Sequence, residues 1–188
     1  ARTIRDSHGG VFPNTLERVM ELPGIGRSTA GAILAISANQ RHPILDGNVK
    51  RVLARYYAID GAPDDAATLA ELWRRAEENT PAADVATYTQ AIMDLGATLC
   101  TRARPRCADC PLAADCRARI EERAGELPAA RRKRAGRRLR RAVMLVAQRA
   151  GKVLLVQRPP NGIWGGLWCL PEFADAQSAA EFAMRELE

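Results

Sequence analysis

Cysteine is scarce in this chain, with five in 188 residues, too few for a disulfide scaffold. A chain of this length buries an ordinary core without cross-links. Long apolar runs are missing as well: no stretch approaches the roughly eighteen consecutive apolar residues that a membrane span needs. The N-terminal string ARTIRDSHGG lacks the apolar stretch of a secretion signal. These absences predict a cytoplasmic protein in a reducing compartment, with no membrane partner. No internal repeat is present. Acidic residues are absent from RRKRAGRRLRR at 131–141, whose eight Arg and Lys, taken from the net charge of +6, leave the rest of the chain near −2. Such a run reads as a solvated linker with incidental phosphate contact, and the basic balance as a sign of a polyanionic partner.

What cysteine there is lies close together. CTRARPRCADCPLAADC, 100–116, places Cys100, Cys107, Cys110 and Cys116 with the spacing C-x6-C-x2-C-x5-C, and Arg102, Arg104 and Arg106 fall between the first two. Four thiols this close in a reducing compartment ask for a metal, and both zinc and an iron–sulfur cluster take four thiolates. The fifth, Cys169 in GLWCLPEF, reads as a small buried apolar residue.

PNTLERVMELPGIGRSTAGAILAISAN predicts a short helix over 15–21, a break at LPGIG, and a second helix over 28–38. Pro23 stops the first helix, and Gly24 and Gly26 permit positive φ. The amides of Gly24, Ile25 and Gly26, beside the start of the second helix, suit a phosphate. A plain helical hairpin with a glycine turn is the alternative. In HPILDGNVKRVLARYYAI, the spacing of Val49, Val52, Leu53, Tyr56 and Tyr57 predicts a helix over 48–58. Asp46 just before it reads either as a helix cap or as a carboxylate held at a cleft wall, where it could stabilise a cation or orient a water. After the basic run, the apolar runs 142–147 and 153–156 flank Gly151 and predict a hairpin.

Taken in series, LPGIGRSTAGAI, ILDGNVKRVLAR, QAIMDLGATLC and the cysteine spacing resemble the helix-hairpin-helix DNA glycosylases, specifically the MutY-type adenine DNA glycosylases, from about Gly9 to Phe173. The resemblance implies a mainly α fold followed by an incomplete α+β Nudix-like C-terminal domain. The implied divisions are 1–42, the end of a six-helix domain with its hairpin; 43–124, a helical iron–sulfur domain; 125–141, the basic linker; and 142–188, the start of a Nudix-like recognition domain.

The same resemblance implies a monomeric base excision repair enzyme of the bacterial nucleoid, removing adenine opposite 8-oxoguanine or guanine in duplex DNA. A [4Fe–4S] cluster would be held by Cys100, Cys107, Cys110 and Cys116, pinning a loop whose Arg102, Arg104 and Arg106 grip phosphates. Asp46 would stabilise the oxocarbenium-like charge on the sugar. Bifunctional relatives carry a lysine nucleophile where this chain has Ser28, so a monofunctional hydrolase is implied over an endonuclease III-type lyase. Ser28 then reads as lining the base pocket or as a solvated helix-start hydroxyl.

Two departures from the family follow. The helical stretch bearing the family's general-acid glutamate would precede Ala1, so the chain as written is expected to be inactive, and a non-catalytic DNA-binding module is the alternative from another class. In AVMLVAQRAGKVLLVQRPPNGIWGGLWCLPEF and MRELE, registering Arg185 on the Nudix box puts Pro171 where glycine belongs and Gln177 where glutamate belongs, which disfavours a magnesium-dependent Nudix hydrolase.

Overall fold

The computed structural model describes residues 1–130 and 140–187. By its contacts the chain divides into two compact units, Ala1–Lys133 and Arg134–Glu188. Residues 131–139 of the expected linker at 125–141 lie outside the described residues, while its start, 125–130, is described with the first unit.

The first unit is helical. In order it contains α1 (Arg2–Ser7), α2 (Leu16–Met20), α3 (Arg27–Ala38), α4 (Gly47–Tyr56), α5 (Ala66–Asn79), α6 (Val85–Asp94), a π-helical turn (Leu95–Leu99), a 3-10 turn (Cys107–Asp109) and α7 (Arg117–Ile120). The hairpin helices fall within a residue or so of the expected bounds. Helix α4 starts and ends one and two residues before the expected 48–58.

Periodicity explains the packing. Val49, Val52 and Leu53 of α4 meet Leu72 and Ala76 of α5, Ile92 of α6, and Ile44 and Leu45 of the segment before α4 in one buried cluster. Leu72 is fully buried, and burial of a leucine contributes about 1.5–3 kcal/mol. The opposite face of α5 carries Glu71, Arg74, Arg75 and Glu78 in ion pairs at i,i+3 and i,i+4 spacing, each worth a few tenths of a kcal/mol in water. A second cluster, Val19 with Ala30 and Leu34, joins the two hairpin helices.

The second unit holds three separate two-stranded antiparallel pairs and one helix. The strands are β1 (Val143–Met144), β2 (Gln148–Arg149), β3 (Lys152–Val153), β4 (Val156–Gln157), β5 (Trp168–Cys169) and β6 (Glu172–Phe173), paired β1 with β6, β2 with β3 and β4 with β5. The expected hairpin forms only at its tip, where Ala150 (φ 49) and Gly151 (φ 74) make the turn. The start of the first apolar run instead pairs Val143 with Phe173. Helix α8 (Ala176–Glu186) is capped by Asp175, whose Oδ1 accepts from the Ser178 amide at 2.8 Å, and Phe182 packs on Phe173 at 5.2 Å. Gln177 and Arg185 lie on this helix; Gln177 donates to Glu181 at 3.0 Å and Arg185 pairs with Glu186. Cys169 is half-buried on β5.

Candidate DNA-binding and catalytic site

The turn between α2 and α3 differs from expectation in two ways. Gly24 takes a positive φ of 83, but Gly26 sits at φ −93 and ψ 174 as the N-cap of α3, extended backbone open to any residue. The Ile25 amide donates to the Leu22 carbonyl at 3.1 Å, so it closes the turn and is not an outward donor. What remains open is the start of α3, which has no side-chain cap; the first amides of a helix have no partner within it. A Cβ built on Gly26 would meet nothing within 4 Å. Arg27 is exposed and stacks its guanidinium 4.0 Å from the Trp73 ring centre.

Asp46 is the N-cap of α4: its Oδ1 accepts from the Val49 amide at 2.8 Å. Capping and exposure to a cleft are both satisfied, because Asp46 also lines a cavity of about 710 Å3. The other walls are Lys50 and Arg51 of α4, Pro63, Arg102 and the returning segment 125–130. Lys50 was not singled out in the sequence; its Nζ lies 3.5 Å from the Pro63 carbonyl and 3.9 Å from Asp64. Ser28 is half-buried and its hydroxyl accepts the Leu45 amide at 2.9 Å, so it is tied to the residue before Asp46.

The cysteines converge. Cys100, Cys107, Cys110 and Cys116 are each half-buried and line one small cavity together with Arg55. Burial holds the Cys116 thiol above its ordinary range; a backbone hydrogen bond from Arg119 opposes this, and the other three thiols add to the rise. Among the described residues no three His, Cys, Asp or Glu side chains close around a single ion. Four thiols around a shared cavity are a donor set that suits a zinc ion or an iron–sulfur cluster.

Two arginines of α4, one turn apart, organise everything around that cavity, and neither was read from the sequence. Arg55 is 2 % exposed. Its guanidinium donates to the carbonyls of Leu127 (2.8 Å), Thr101 (2.7 Å), Arg102 (3.1 Å) and Cys100 (3.3 Å), and to Cys100 Sγ at 3.3 Å. Arg51 donates to the Cys100 carbonyl at 2.7 Å, to Gly96 O at 2.6 Å and to Asn48 Oδ1 at 2.8 Å. Gly96 allows this approach, since a Cβ there would lie 2.7 Å from Asn48 Cβ.

With its carbonyls drawn inward by Arg55, the loop turns Arg102 and Arg104 outward. Both are exposed, and among the described residues neither guanidinium has a hydrogen-bond partner. Arg106 differs, because its Nη2 donates to the Thr98 carbonyl at 3.2 Å and it lines the cysteine cavity. The arrangement is a carboxylate in a roomy cavity shared with Lys50 and with Arg102, unpartnered among the described residues, which can take an anionic polymer and stabilise positive charge.

Comparison with known proteins agrees. A helix-hairpin-helix motif matches residues 7–36 and a NUDIX domain matches 142–188. An adenine DNA glycosylase of Buchnera aphidicola from Acyrthosiphon pisum is 37% identical over 181 residues, covering 95% of this chain and 51% of that protein. The chain is a homologue of the adenine DNA glycosylases. The human adenine DNA glycosylase is 43% identical over 120 residues, 63% of this chain and 22% of its own length. The chain spans about half the length of the first relatives it matches.

Among solved structures, a thermostable thymine-DNA glycosylase superposes with a TM-score of 0.56 at 25% identity, over 64% of this chain and 55% of that one. Endonuclease III trapped covalently on DNA gives 0.53 at 25% identity over the same shares. The homologue thus has the helical helix-hairpin-helix glycosylase fold, followed by a small antiparallel region matching the NUDIX domain. Among its described residues no helix is long and apolar enough to cross a membrane.

Proposed function

We propose that this chain carries the hairpin, the sugar-facing carboxylate and the cluster loop of a monofunctional glycosylase that removes adenine opposite 8-oxoguanine or guanine. The observation that supports this best is Asp46 at the wall of a 710 Å3 cavity shared with Arg102. A target base must leave the duplex to be processed. Breaking its N-glycosidic bond sends the bonding pair to adenine, which takes up a proton from solvent, and leaves positive charge on the sugar. The Asp46 carboxylate stabilises that charge, water adds to the sugar carbon, and the water proton is lost to solvent.

Cys100, Cys107, Cys110 and Cys116 would hold a [4Fe–4S] cluster, which supplies a cross-link through four thiolates and no chemical step. Arg55 orders the loop's backbone from the protein side, and Arg102 and Arg104 meet phosphates. The uncapped start of α3 meets another.

The reaction is tested by single-turnover release of adenine from a duplex with one A opposite 8-oxoguanine, in the full-length protein, with and without borohydride. Release with little trapped adduct is expected, because no amine stands at Ser28. Lys50→Ala is run in parallel, since Lys50 shares the Asp46 cavity. Efficient trapping by the parent protein would overturn the monofunctional reading, and its loss in Lys50→Ala would identify Lys50 as the amine responsible.

The phosphate-gripping arginines have their own readout. Replacing Arg102 and Arg104 together with Ala is expected to lower the salt slope of duplex binding by about 1.8, at about 0.9 for each phosphate no longer neutralised, similarly for all sequences. Arg106→Ala should change it less, because that guanidinium already serves Thr98. Fluorescence anisotropy at several salt concentrations checks this, and an unchanged slope in the double variant would remove the loop from the interface.

A further inference from the structure

We infer that Ser28 and Gly31, on one face of α3, form a seat that sets where Asp46 stands, and that both are positioning residues for the reaction. The inference rests on the catalytic reading of Asp46 proposed above. The segment from residue 39 to 46 belongs to no helix or strand, so no repeating hydrogen-bond ladder fixes it. Pro43, Ile44 and Leu45 are nonetheless buried. Something other than secondary structure holds them.

Ile44 and Leu45 pack into the cluster with α4, α5 and α6, and Arg41 bonds the carbonyls of Thr80 and Glu77. Beside these, α3 makes the two contacts closest to Asp46. Among the described residues, the Leu45 amide is the one backbone donor between His42 and Asp46 with a partner, and that partner is Ser28 Oγ at 2.9 Å. One turn further along α3, Gly31 lies directly under the same segment. A Cβ on Gly31 would fall 3.1 Å from the Pro43 carbonyl oxygen, 3.3 Å from His42 Cβ and 3.5 Å from Ile44 Cγ2. Residues three apart on a helix share a face, so a hydrogen bond and a backbone-close contact act on the chain within three residues of Asp46.

On its other side the Asp46 carboxylate is fixed by the Val49 amide at 2.8 Å. It is therefore clamped between α3 and the first turn of α4. The hairpin helix that offers its uncapped start outward thus also sets the depth of the carboxylate in its cavity. Removing the Ser28 oxygen frees the Leu45 amide from its partner. A methyl at Gly31 forces the segment to move by a few tenths of an ångström, a shift on the scale at which positioned groups lose effect.

The test combines a structural and a kinetic readout in the full-length protein. In Ser28→Ala, hydrogen exchange at the Leu45 amide, followed by NMR, is expected to speed up at least about tenfold as its hydrogen bond is lost. Single-turnover adenine release by Ser28→Ala and by Gly31→Ala is expected to fall about tenfold or more. Affinity for the mismatched duplex should stay within about threefold, while the melting temperature falls by only several degrees, as expected for one buried amide left without its partner. Ser28→Thr keeps the hydroxyl and should restore both readouts.

Unchanged Leu45 exchange in Ser28→Ala, or wild-type release by it, overturns the seat. So does a rate loss that Ser28→Thr fails to restore, or one matched by an equal loss of duplex affinity. If Gly31→Ala does not fold, Ser28→Ala and Ser28→Thr decide alone. Asp46→Asn, run alongside, separates the two levels. Wild-type release by that variant removes the catalytic reading itself, whereas an inactive Asp46→Asn beside a fully active Ser28→Ala removes only the seat.

Discussion

Asp46→Asn is expected to slow adenine release by a factor of about 1000 or more, while mismatched-duplex affinity and thermal stability barely change. The logic follows from the two jobs of this residue. As N-cap it needs an oxygen that accepts from the Val49 amide, and asparagine caps about as well as aspartate, so the helix keeps its start. As a partner for charge on the sugar it needs a full negative charge, which asparagine lacks. That charge exists mainly in the transition state, so its loss is read in the rate and not in ground-state affinity. Losing one well-placed electrostatic partner costs about 100–1000-fold in related cases, and a full charge in place of a dipole raises that. Asp46→Ala is the contrasting variant. It loses the cap as well and should fall by about 1 kcal/mol in stability. Single-turnover rates, anisotropy and melting curves on both variants distinguish the roles, and full release by Asp46→Asn would leave Asp46 a cap alone.

The second large effect concerns the cysteines. Protein purified without oxygen is expected to contain iron and sulfide, and Cys110→Ser to lose both along with most of its affinity for duplex DNA. Loss of the cross-link frees backbone between Cys100 and Cys107, and each residue that must be re-ordered on binding costs about 1–2 kcal/mol. Two such residues amount to a loss of about 100-fold in affinity. Arg55 limits the damage, since its bonds to the carbonyls of Thr101 and Arg102 come from the protein and not from the metal. Elemental analysis and anisotropy check the two halves separately. Zinc without iron would overturn the cluster, and Cys110→Ser binding as tightly as the parent would mean that Arg55 alone suffices to order the loop.

Legibility in the sequence followed the range of the interactions. The hairpin helices and α4 were readable because their signals lie within a few residues: Pro23 after α2, the spacing of Val49, Val52 and Leu53, and Asp46 at the start. The cysteines were readable because all four fall in one short stretch. Arg51 and Arg55 were not, because their acceptors are carbonyls of residues 45 or more positions away, and carbonyls leave no mark in a residue pattern. A cation among the apolar positions of α4 was the one available sign.

The role of Ser28 was hidden for the same reason, its partner being the backbone of Leu45. In the C-terminal unit, the pairing of Val143 with Phe173 is a long-range contact that overrode the hairpin pattern in the first run. Local turn chemistry decided only the tip at Ala150 and Gly151. The amide of Ile25 shows the limit even of a short-range reading: which donor of a tight turn points outward depends on which carbonyl closes it.

The two glycines of the hairpin turn answer to different demands. Gly24 is needed by the chain itself, because its backbone lies where a side chain is strained. Gly26 is not: its backbone is extended and the space where a side chain would begin is empty. As the N-cap of α3, residue 26 answers to folding only through that cap. A methyl group there would meet nothing of the protein, only what comes to the start of α3 from outside, so Gly26→Ala reports how closely a ligand approaches that helix end.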